Sequence, residues 1–117
     1  MIGALFRSPS SFERDPKGFF RNQGGHMVFV GLPIGALALL WAAVTGFSVW
    51  PVVALLLGVY AAWEVLQHVL YDAEAWDCVE NFAFVACGAL AVALLSPTLA
   101  LIGALFLWSG WLRRAGL

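Results

Sequence analysis

The sequence predicts an all-α integral membrane protein, an up-down four-helix bundle preceded by an interfacial N-terminal segment. Three observations carry that expectation. Only 13 of the 117 residues are Lys, Arg, Asp or Glu, and 62% are hydrophobic, whereas a soluble domain carries roughly 25% charge. The charges are segregated, with none in the 42 residues between Arg21 and Glu64 or in the 32 between Glu80 and Arg113. Turn residues divide each run, at Thr45-Gly46-Phe47-Ser48-Val49-Trp50-Pro51 and at Ser96-Pro97-Thr98. This composition excludes a disordered tail, a nucleic-acid-binding module and an ordinary cytosolic enzyme. The net charge of -1 identifies no partner.

Residues 1–25 form the first unit and 26–117 the second. The first lacks the long apolar core of a secretory signal. Its Ser10-Ser11-Phe12-Glu13 has capping-box spacing, and Pro16 limits that helix. Phe6, Phe12, Phe19 and Phe20 interleave with Arg7, Arg14, Lys17 and Arg21, which suits either a segment lying in the membrane interface or a partly disordered tail. The second unit divides into spans near 27–46, 51–71, 77–95 and 98–112. A span needs about 20 apolar residues, and an unbroken helix of 40 would be about 60 Å long, twice the hydrocarbon thickness. The last span is short, its end padded by Trp108, Trp111 and two arginines. Short connections imply antiparallel neighbours.

All six basic residues lie at the two ends, Arg7, Arg14, Lys17 and Arg21 before the first span and Arg113 and Arg114 after the last. The positive-inside rule then places both termini on the cytoplasmic side, with a bacterial inner membrane (host- or phage-encoded) as the expected location. Trp50, Trp76, Trp108 and Trp111 fall near span ends as an interfacial belt, while Trp41 and Trp63 are expected between helices. Gly31 and Gly35 form a Gly-x-x-x-Gly pair, which in a chain with 12 glycines reads as a chance occurrence. Cys78 and Cys87, nine residues apart on one helix, are expected to be free, small apolar packing residues.

The polar residues within the spans concentrate in one hairpin. Glu64, Gln67, His68 and Tyr71 share a face of the second helix, and Asp77, Glu80, Asn81 and Phe84 share a face of the third. These faces are expected to meet near the cytoplasmic end, with His26 at a similar level, Glu64 a turn deeper, and Asp77 as N-cap of the third helix. An ionisable group inside a span costs about 2.5–3.5 kcal/mol on insertion scales, so such residues face the bundle interior and find partners. Three readings of this cluster stay open. It is a proton-relay or small polar-ligand site, a metal site on Glu64, His68 and Glu80, or a hydrogen-bonded knot that locks helix register. The di-iron bundles use Glu-x-x-His, whereas here the spacing is Glu64-x-x-x-His68, once. No cofactor is indicated.

The pattern Glu64-x-x-Gln67, then Trp76-Asp77-x-x-x-Asn81, then Gly88 opening a small-residue run, resembles the VanZ-like family of small membrane proteins. The Trp-Asp-x-x-x-polar element is also similar to the related YjdF-type proteins. The likeness covers about 25 residues, from Glu64 to Gly88. This chain lacks the arginine that VanZ-like members often carry between the two motifs, and its glycine comes later. The resemblance implies a multi-spanning bundle with a polar site near one interface, to which the run from Asn22 to His26 would contribute.

Three functions follow, from different classes. The first is a small membrane protein whose polar site handles a proton, a metal or a polar headgroup. The second is a phage holin-type pore-former. The third is an accessory subunit of a larger membrane or virion assembly. The expected partners are the lipid bilayer and either further copies of the chain or the subunits of a larger complex, with no nucleic acid. No nucleophile–base pair or Gly-x-Ser-x-Gly element is present, so the sequence leans away from an enzyme.

Overall fold

The turn residues act where the sequence places them. A computed structural model describes residues 12–117; residues 1–11, including Phe6, Arg7 and the Ser10 end of the capping box, lie outside the described residues. Among the described residues the chain is all-helical, with four helices: α1 (Pro16–Thr45), α2 (Trp50–Tyr71), α3 (Ala75–Ala93) and α4 (Pro97–Arg114). Asp15 caps α1, its Oδ1 accepting the Gly18 N–H at 2.8 Å, and Pro16 follows at the first helical position. Gly46 ends α1 in the left-handed region at φ 73, its N–H bonded to Ala42 O at 2.9 Å. Ser96 caps α4 by accepting the Leu99 N–H at 3.2 Å, and Pro97 follows it.

Three helices, α1, α2 and α3, are long and apolar enough to cross a membrane. The expected fourth span falls outside that group, because Trp108, Ser109, Trp111, Arg113 and Arg114 make the last two turns of α4 polar. Two boundaries also differ from expectation. The residues from Pro16 to Gly25 are the first part of α1 itself, with Phe19 and Gln23 buried. Helix α3 begins at Ala75, so Asp77 sits within its first turn and Glu74 holds the cap position.

Helix α1 is not a regular α-helix throughout. His26–Gly31 forms a π turn, closed by Leu32 N–H on Met27 O. Its cause lies two residues beyond it. Pro33 has no N–H, and its ring crowds the carbonyl four residues earlier, here Phe29. A wide turn ahead of Pro33 relieves that crowding. It also corrects the helix phase. Phe19, Gln23, Gly31 and Gly35 are buried at multiples of four, with Met27 half-buried between them. Steps of four drift by about 40° each in an α-helix, so Phe19 and Gly35 would end up about 160° apart. A π turn rotates less per residue and takes up much of that drift.

The face so aligned packs on α3 at backbone contact. A Cβ at Gly31 would lie 2.6 Å from Val85 O, one at Gly35 would meet Ala89 O, and one at Gly88 would meet Met27 O. The Gly31–Gly35 pair is therefore the seat of the α1–α3 crossing, not a chance occurrence. The hydrogen standing in place of a Gly88 Cβ faces the Met27 carbonyl, a Cα–H···O=C contact common where helices meet closely.

Helix α3 packs against all three other helices, while α2 rests on the C-terminal part of α1 and α4 on its N-terminal part. Three small apolar clusters follow one another along α1: Phe19 with Phe84 and Leu107, Ile34 with Val85 and Ala89, and Ala38 with Val53 and Ala93. The outer surface is equally apolar, exposing Phe29, Val44, Leu55, Val59, Leu101 and Phe106. Trp41 and Trp63, expected between helices, are on that surface, Trp41 stacked on Phe47 with ring centroids 6.3 Å apart.

At Gly31, Gly35 and Gly88 the obstructing atoms are backbone, so a methyl group is accommodated only by parting the helices. Each glycine-to-alanine change there is expected to destabilise the fold by about 1–3 kcal/mol. Gly58→Ala, with nothing within 4 Å of the added carbon, should instead stabilise α2 by up to roughly 1 kcal/mol. Thermal unfolding in mild detergent, followed by circular dichroism, measures the contrast; equal effects at Gly35 and Gly58 would refute the close approach.

Candidate functional site

Three helices each bring polar side chains to one point. On α2, Tyr60 and Glu64 are four residues apart and share a face; on α3, Asp77 and Asn81 do the same. On α1, Gln23 and His26 flank the start of the π turn. The α1–α3 crossing and the packing of α2 on both bury Gln23, Asn81 and Glu64 to 0%, 4% and 3% exposure.

The buried groups form one hydrogen-bonded chain. Gln23 Nε2 donates to Asn81 Oδ1 at 2.9 Å, and Asn81 Nδ2 donates to Glu64 Oε2 at 3.5 Å. The Tyr60 hydroxyl donates to Glu64 Oε1. Asp77 and Cys78 face the same carboxylate from α3, and His26 interacts with Asp77 from α1. The His26 ring stands edge-on to Tyr60 with centroids 6.4 Å apart, its Nδ1 2.7 Å from Asn22 O. A carbonyl only accepts, so Nδ1 carries the hydrogen of that bond. Two acceptors of this cluster stay open. Gln23 Oε1 and Asp77 Oδ1 are buried and receive no hydrogen bond from the described residues. No Arg or Lys among the described residues forms an ion pair with Glu64 or Asp77.

No family model, curated protein or solved structure matches this chain. The site therefore stands on its geometry.

Of the residues singled out by sequence, Glu64, Asp77, Asn81 and His26 come together. Three others do not. His68 is exposed, and its Nδ1–H donates to Ala73 O at 2.6 Å, closing the end of α2 against the loop. Gln67 is half-buried, and its backbone carbonyl takes the N–H of Asp72 and, at 3.3 Å, that of Ala73. Glu80 turns to the opposite side of α3, with Oε1 4.0 Å from Arg114 Nη2. The expected metal set of Glu64, His68 and Glu80 is thus spread over separate surfaces. Among the described residues, no three His, Cys, Asp or Glu side chains are grouped to hold a metal ion.

The Glu80 side is a second polar anchor. The Arg114 guanidinium lies 3.7 Å over the Phe19 ring centroid and donates from Nη1 to Gly110 O at 3.2 Å. A Cβ at Gly110 would collide with that ring, so the glycine lets α4 close over Phe19. A desolvated cation–π contact of this kind contributes about 2 kcal/mol.

Tyr60 is missing from the site the sequence predicts, and Gln23 enters it only within the run from Asn22 to His26. Tyr60 had a usable signal, lying one turn before Glu64 on the same face. Gln23 had only its place in the run from Asn22 to His26, and the π turn that aims it is not a periodic signal.

Asn81→Ala leaves Gln23 Nε2 and Glu64 Oε2 without their shared partner inside the bundle. The expected loss is about 1–3 kcal/mol. His68→Ala removes one exposed bond and should cost less than about 1 kcal/mol. Chemical unfolding of both variants in the same detergent ranks them, and a larger loss at His68 would place it within the buried network after all.

Proposed function

We propose that this chain is an integral membrane protein whose working element is a proton-exchange site centred on Glu64. The lipid bilayer is its solvent. Helices α1, α2 and α3 cross it, α4 completes an up-and-down bundle, and the basic residues at both ends hold the termini on the cytoplasmic side. The site then lies toward that side, near the connection between α2 and α3. An inner bacterial membrane suits this arrangement, with the chain of either host or phage origin.

The observation that carries the proposal is a carboxylate buried to 3% exposure, with no arginine or lysine paired to it among the described residues and with the open acceptors Gln23 Oε1 and Asp77 Oδ1 in its cluster. A purely structural polar knot saturates its own donors and acceptors, because an unmade buried hydrogen bond costs about 1–3 kcal/mol. Here one added proton turns a carboxylate oxygen into a donor and gives an open acceptor its partner. Asp77, in the first turn of α3, and His26 stand beside the cluster as the route for that proton. An ionisable residue within a span is a functional site by default when no cation neutralises it. The resemblance to VanZ-like proteins supports the same residues, since Glu64, Asp77 and Asn81 belong to its motifs. A homo-oligomeric pore is the weaker reading. The outward positions of α2, Leu55, Val59, Val65, Leu66 and Val69, are apolar, whereas a pore wall needs a polar stripe there.

Infrared difference spectra of the reconstituted protein, recorded between alkaline and acidic buffer, test the proposal. Wild-type protein is expected to show a protonated-carboxyl band that Glu64→Gln removes, that Asp77→Asn shifts and that His68→Ala leaves in place. A band unchanged in Glu64→Gln, with the variant still folded, would reduce the cluster to a structural knot.

A further inference from the structure

A groove of about 410 Å³ runs between α3 and α4, on the far side of α3 from Glu64. It is amphipathic along its length. Trp76, Glu80 and Arg113 line one end, and Phe84, Cys87 and Phe106 line the rest. Gly103 and Gly110 on α4 contribute no side chain to its wall. Both are packed against α1, where a Cβ at Gly103 would lie 2.8 Å from Met27 Sδ and one at Gly110 would strike Phe19.

The charged end presents two opposite groups. Arg113 is exposed. Glu80 keeps one oxygen 4.0 Å from Arg114 and has Arg113 near it as well, while its buried Oε2 receives no hydrogen bond from the described residues. The occupant this calls for has an anion for Arg113, an N–H donor for Glu80 and an apolar tail. One acyl chain supplies that tail.

We propose that this groove binds one phospholipid of the ethanolamine class, its phosphate on Arg113, its ammonium on Glu80 and one acyl chain along Phe84, Cys87 and Phe106. The proposal rests on the membrane reading but not on the proton site. A choline headgroup, with no N–H, cannot satisfy Glu80, and a glycerol headgroup brings no cation.

Native mass spectrometry of the full chain in mild detergent, titrated with phosphatidylethanolamine, phosphatidylcholine and phosphatidylglycerol of identical acyl chains, tests it. One ethanolamine lipid per chain is expected to bind about tenfold tighter than either of the others. Arg113→Gln should weaken binding of all three, and Glu80→Gln should abolish only the preference for ethanolamine over choline. Should Glu80→Gln fail to fold for want of its Arg114 pair, Ala83→Trp, at an exposed position in the groove wall, should still exclude the lipid without touching the charged end. Equal affinity for the three lipids, unchanged in Arg113→Gln and Ala83→Trp, would mean general lipid adhesion and overturn the site. Flotation of the chain with vesicles, whatever their headgroup, separates that outcome from failure of the membrane reading itself.

Discussion

The backbone contact between α1 and α3 at Gly31, Gly35 and Gly88 is the constraint on which the rest depends. It exists because Pro33 sits inside a long helix. The proline demands a wide turn ahead of it, the wide turn rephases α1, and the rephased helix presents glycines to α3 and Gln23 to Asn81 on one continuous face. With any side chain at those glycines the helix axes would stand further apart. The 2.9 Å bond from Gln23 to Asn81 would then be out of reach. A local backbone requirement thus decides a long-range polar contact.

Helix α3 divides its polar residues between two sides, and the two sides are solved differently. Asp77 and Asn81 turn toward α1 and α2, where the partners are neutral donors and a second carboxylate. Glu80 turns toward α4, where Arg114 supplies an opposite charge and Phe19 a surface for it to lie on. Both arrangements leave buried acceptors open, Gln23 Oε1 and Asp77 Oδ1 in the first and Glu80 Oε2 in the second, but only the second sets an arginine beside its carboxylate. The second is a clamp, and it holds the N-terminal part of α1 against α4. Placing the cation at one and not the other is what makes the two carboxylates inequivalent.

The helices were legible because their limits are set by local chemistry. Charge-free runs, Gly46, Ser96, Pro51 and Pro97 act over a few residues and need no tertiary knowledge. Glu64 and Asn81 were legible for a related reason, since polar residues within apolar runs must find one another. What escaped depended on rotation of one helix against another. His68 shares the predicted face with Glu64, yet it lies one turn nearer the end of α2, where the chain leaves the bundle and Ala73 O accepts the hydrogen bond from its Nδ1–H. Glu80 and Asn81 are adjacent in sequence and 100° apart around α3, enough to send them to different neighbours. The Gly31–Gly35 pair and Gln23 were illegible in their roles because both depend on the π turn, which no period of 3.6 reveals. The continuation of α1 back to Pro16 was masked by charges that suggested an interface, although Phe19 and Gln23 are buried by α4 and α3.

The same dependence explains why the buried carboxylate is tolerable without a cation. Gln23 of α1 reaches Glu64 through Asn81, so that chain depends on the glycine contact behind it. A rigid set of neutral donors holds a carboxylate in place without fixing its charge, whereas an arginine would hold it ionised. Proton exchange needs the former. The Arg114–Glu80 clamp on the opposite side shows that this chain does place an arginine where a fixed charge serves. The contrast between these two glutamates, set by which helix each one faces, is the strongest physical reason to regard Glu64 as a working group and Glu80 as an anchor.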